Sequence, residues 1–123
     1  MPPLSGSLAP FWRQRFSGED ITTAVVTTNY MWPTIQPNSL IFLGPSGYRG
    51  ETLYSLAYDG EHRGDVRRLS HAAKGYLLTA DNAPFSQAMD REEFHASGAR
   101  PVYGALVPFD HDFGLWMRDR YAR

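Results

Sequence analysis

The chain has 123 residues, enough for one domain with one core and too few for two ordinary domains. With 42% hydrophobic and 20% charged residues it has the make-up of a folded globular protein rather than a disordered one. Twelve basic against thirteen acidic residues leave no single-sign field to capture nucleic acid or anionic lipid, and the lack of cysteine excludes disulfides, thiol chemistry and Cys-based zinc sites.

In chain order, residues 1–10 are rich in Pro, Ser and Gly and read as the start of a leader running to residue 21. They lack a basic region followed by an apolar run, so no signal peptide is expected. No stretch approaches the roughly 20 apolar residues that span a bilayer, and a cytoplasmic location with no membrane partner is the expectation. Phe11, Trp12 and Phe16 are the first large apolar groups, either packing against the domain or facing a partner. Thr22–Thr28 is β-branched and reads as a strand. The run Leu40-Ile41-Phe42-Leu43 reads as a short buried strand, closed by the turn Gly44–Gly47. Leu53–Tyr58 alternates and ends at the hairpin signal Asp59-Gly60. Asp65–Leu69 and Tyr76–Ala80 form a hairpin around His71–Gly75, and Asp81–Phe85 reads as loop. Asp90–His95 suits one helical turn, Val102–Val107 a last strand, and Phe113–Tyr121 a short helix within a tail of residues 110–123. Six or so short strands with little helix predict a mostly β domain, barrel-like or sandwich, over residues 22–109.

The segment Asn29-Tyr30-Met31-Trp32-Pro33-Thr34-Ile35, followed by Asn38–Leu43, resembles the Ser-Met-x-Pro-Thr motif, turn and apolar strand of LexA-type and phage-repressor peptidase domains. Signal peptidases share a related motif. Val66-Arg67-Arg68-Leu69 resembles the family's Val-Lys-Arg-Leu strand, Ala80–Phe85 its Ser-Asp-Asn-Pro loop, and Pro101–Val107 its closing strand. The similarity runs in order over roughly residues 22–109. It implies a compact, strongly bent β-fold that dimerises and carries a Ser–Lys dyad, ordinarily behind an operator-binding helix-turn-helix domain.

The departures from that pattern decide the chemistry. The family nucleophile falls at position 30, here Tyr30, and its general base at position 67, here Arg67. A Ser–Lys dyad works because a desolvated lysine loses its proton near neutral pH and then accepts the hydroxyl proton. A guanidinium, with a pKa above about 12, cannot do this. A phenol is bulky, and as a good leaving group it does not hold an acyl intermediate. Lys74 is the only lysine, and it lies in a predicted turn. Ser39 and Ser55 have no base at a recognisable spacing. Tyr30 and Arg67 are expected to contact each other across the old cleft, a contact worth about 0.5–2 kcal/mol.

Other constellations are weaker. Asp110-His111-Asp112 reads as a solvated loop rather than a metal site, and Arg63-Gly64-Asp65 as a coincidental tripeptide. Strand alternation separates Arg67 from Arg68 and keeps any basic patch small. Trp32, at the variable motif position, is either an interface anchor or packed under the N-terminal segment. No metal or other cofactor is expected, and the chain offers no recognition helix for DNA. The expected function is that of a pseudo-peptidase, not an enzyme, serving self-association as a homodimer or larger oligomer in a phage-type repressor. Two alternatives stay open: a decoy or antirepressor that binds a repressor, and an autopeptidase using unconventional residues.

Overall fold

The computed structural model describes residues 20–121. The predicted mostly β class is what the described residues form: seven strands in one antiparallel sheet, with two helices among them. These are β1 (Thr22–Val25), β2 (Leu40–Leu43), β3 (Leu53–Tyr58), β4 (Glu61–Ala72), β5 (Gly75–Ala80), β6 (Ala83–Met89) and β7 (Arg100–Leu106), with α1 (Arg91–Ser97) before β7 and α2 (His111–Tyr121) after it. The spatial order is β1-β2-β7-β3-β4-β5-β6.

The expected barrel-like closure does not occur. β1 and β6 lie at opposite edges of the sheet and do not pair with each other. The sheet bends through β7, whose start (Arg100, Pro101) pairs with β3 and whose remainder pairs with β2. The bend is held by packing as well as hydrogen bonds, because Gly64 of β4 lies against the backbone of Val25 and Val26.

Sheet register divides the core. On one side Ala24, Val26, Met31, Ile35, Ile41, Leu43 and Val66 pack together. On the other, Tyr54, Leu56, Leu69, Tyr76 and Leu78 surround Phe94 of α1. Phe94 meets Tyr54 and Tyr76 edge-on at 5.1 and 5.3 Å between ring centres, the geometry favoured by opposed ring quadrupoles. Asp90 caps α1: its carboxylate accepts from the Glu93 amide while Glu93 reaches back to the Asp90 amide. A third, smaller group joins Met117 of α2 to Val25 and Leu40.

Two elements differ from the sequence expectation. The segment read as loop from Asp81 is a two-residue turn followed by β6. Asn82 and Pro84 signal a turn, yet an edge strand tolerates a proline because it has one unpaired side. β4 extends beyond the expected Asp65–Leu69 at both ends, because β3 and β5 both offer it ladders. Among the described residues no helix is long and apolar enough to cross a membrane.

Candidate functional site

The motif Tyr30–Thr34 forms a tight turn between β1 and β2. Its backbone bonds run from the Trp32 amide to Asn29 O (3.1 Å) and from the Ile35 amide to Met31 O (2.9 Å). Met31 and Ile35 point into the first core, which leaves Tyr30, Trp32, Pro33 and Thr34 exposed. The turn is tied to Asp81 and Asn82. The Asn82 amide donates to Tyr30 O (2.8 Å), Asn82 Nδ2 donates to Asn29 O (2.9 Å), and Thr34 Oγ1 donates to the Asp81 carboxylate. Asp81 also receives Arg68, Nε at 2.9 Å and Nη2 at 2.7 Å. The Arg68 guanidinium holds the Asp81 carboxyl below the usual range, with the Thr34 hydroxyl adding to the effect. Two segments far apart in sequence are thus fastened into one surface.

Arg67 sits beside this junction with its side chain only 7% exposed. Its guanidinium lies over the Phe85 ring at 4.2 Å and over the Tyr30 ring at 5.4 Å. Nη1 donates to Asp65 and to Val66 O (2.9 Å), whereas Nε is buried without an acceptor. Asp65 in turn accepts from the Tyr58 hydroxyl, and this bond to the neutral phenol raises the Tyr58 pKa. Tyr30, 43% exposed, closes the outer side. The assembly is a cation held between two rings and anchored by a carboxylate.

Sequence reading missed both Asp65 and Phe85 as partners of Arg67. Residues two apart on a strand share a face, so Asp65 was within reach of inference; Phe85 was hidden by reading its segment as loop. Arg67 and Arg68 do lie on opposite faces. The expected small basic patch is in fact dispersed: Arg63 bonds Glu61, Arg67 is buried, Arg68 binds Asp81, and Lys74 is exposed in the β4–β5 turn. The clefts around Lys74 are lined by no serine or threonine among the described residues. In the Arg63-Gly64-Asp65 tripeptide, the glycine is buried and the aspartate is engaged with Arg67. Asp110 caps α2, accepting from the Phe113 amide at 2.8 Å, and no group of metal-ligating side chains occurs among the described residues. Trp32 is exposed; Phe11, Trp12 and Phe16, weighed as its neighbours, lie outside the described residues.

One pairing corrects the sequence reading outright. Ser55 does have a base beside it: His62 Nδ1 lies 2.8 Å from Ser55 Oγ across the β3–β4 hairpin. Ala57, not Ser55, stands opposite His62 in the ladder, and the register shifts between Ser55 and Ala57, so the hairpin signal at Asp59-Gly60 does not by itself point to the pair. Ser55 is wholly buried, so no substrate reaches its hydroxyl. Burial, and then the nearby Arg100 charge, hold the His62 pKa below its ordinary value, against the hydrogen bond that the ring donates to the Gly98 backbone carbonyl, which acts the other way. A histidine depressed in the folded state contributes stability above its unfolded pKa, and this is lost as pH falls toward the folded value. The urea midpoint should therefore drop between about pH 7.5 and about 5.5. His62→Asn, which keeps an acceptor for Ser55, should flatten that slope, and an unchanged slope would assign it to another group.

Comparison with protein families, with curated protein sequences and with solved structures finds no match to this chain.

Proposed function

We propose that the chain is a catalytically inactive relative of the LexA-type peptidase domain that serves self-association and regulation in a phage-type transcriptional repressor. One observation carries the reading. The positions that resemble the family's nucleophile and base, Tyr30 and Arg67, meet in space, and they meet as a ring over a buried, ion-paired guanidinium. The spatial junction of the Asn29–Thr34 and Asp81–Asn82 segments adds support, because both segments resemble family motifs. A guanidinium donates hydrogen bonds and balances charge but does not accept a proton, so the retained architecture is available for assembly rather than peptide-bond scission. The unpaired edge of β6, largely exposed among the described residues, is a further surface on which copies can pair.

The test has two arms. Prolonged incubation at alkaline pH, followed by intact-mass spectrometry, is expected to return an uncut chain. Sedimentation at micromolar concentration is expected to show a dimer or larger species. A discrete cleavage product rules out the inactive assignment, and a strict monomer at high concentration rules out self-association.

A further inference from the structure

Helix α2 is built the wrong way round for a helix that ends at the surface. Its inner face closes with Gly114 and Met117, the glycine against the Pro108 ring and the methionine on Val25 and Leu40. Its larger rings point outward, with Phe113 exposed and Trp116 53% exposed. Phe113 and Trp116 stack on each other at 5.7 Å, and Arg120 lies over the Trp116 ring at 5.8 Å. Phe113, Trp116 and Arg120 follow helical spacing, so they form one outward stripe, with Asp112 at its other end. An amphipathic helix ordinarily buries its large apolar side chains, and among the described residues nothing covers this stripe.

The charges on the stripe specify the partner. Asp112 stands four residues before Trp116 and Arg120 four residues after it. Resting on the self-association reading above, we propose that α2 docks on α2 of a second copy, antiparallel, about a two-fold axis through Trp116. That axis sets Asp112 of each copy against Arg120 of the other, giving two ion pairs that flank a centre of Phe113 and Trp116 rings. A parallel arrangement instead sets aspartate on aspartate and arginine on arginine. Within one helix the two charges are eight residues apart, about 12 Å of rise, too far to pair with each other. The stripe is thus self-complementary only across an isologous contact. Aromatic rings at the centre with charged groups at the rim are the usual distribution of binding energy in such a contact.

The full chain is examined by sedimentation equilibrium over about 1–300 µM, a range suited to an interface of one helix pair. Trp116→Glu, with the fold checked by circular dichroism, is expected to weaken dimerisation at least about tenfold. Asp112→Arg and Arg120→Asp are each expected to weaken it by about tenfold, and the double swap to restore it, because the pairs re-form with reversed sign. Rescue by the double swap is the result a purely structural role does not produce. A dimer indifferent to all four variants overturns this surface while leaving self-association standing. A monomer at every concentration overturns both. A monomer in which the amide signals of Phe113 and Trp116 shift on deletion of residues 1–19 assigns the stripe to the chain's own leader and likewise overturns the proposal.

Discussion

Gly64→Ala is expected to lower stability by about 3 kcal/mol or more, a large share of the roughly 5–15 kcal/mol that keeps an ordinary domain folded. Two costs combine. Gly64 has φ +80°, a left-handed conformation that penalises any side chain by about 1–2 kcal/mol. A Cβ there also falls 2.1 Å from Val25 O and 2.8 Å from its carbonyl carbon, so backbone rather than a flexible side chain has to move. That contact is where β4 passes against β1, and pushing the strands apart opens the first core at Val26 and Val66. Gly60→Ala provides the control. Its φ, +78°, is nearly the same, but nothing lies within 4 Å of its Cβ position, so it carries the conformational cost alone, about 1 kcal/mol. Urea denaturation of the two variants separates the terms; equal losses would mean that the close approach to Val25 contributes nothing.

Arg67→Ala is expected to cost about 3 kcal/mol, the range for breaking a buried ion pair from one side. It leaves Asp65, only 19% exposed, with the Tyr58 hydroxyl but without its cation, and it opens space between Phe85 and Tyr30. Arg67→Met keeps an unbranched apolar stem between those rings, so it should recover about 1–2 kcal/mol of the loss. In an Asp65→Asn background the cost of Arg67→Ala should shrink further, since no carboxylate is then stranded. The double-mutant cycle by chemical denaturation gives the coupling directly. Near-zero coupling would reduce Arg67 to a spacer between two rings.

Local chemistry is legible in the sequence because it depends on neighbours along the chain. Leu40–Leu43 is apolar and bounded by Pro37-Asn38 and Gly44-Pro45, and β2 has those limits. Asp59 and Gly60 both adopt positive φ, as a tight hairpin requires, and β3 ends just before them. Alternation alone separates the buried Arg67 from the exposed Arg68. That a phenol stands at position 30 and a guanidinium at position 67 is likewise a fact of sequence.

What the tertiary structure alone decided is who meets whom across the sheet. β6 exists because β5 offers it an edge, which outweighs the turn signals of Asn82 and Pro84. Phe85 reaches Arg67, and His62 reaches Ser55, only once strand register is set. The sheet stays open because β4 approaches β1 through a glycine against backbone, a packing contact in which no ladder forms. Each of these depends on free energy shared between residues distant in the chain, and a local pattern of residue types does not encode it.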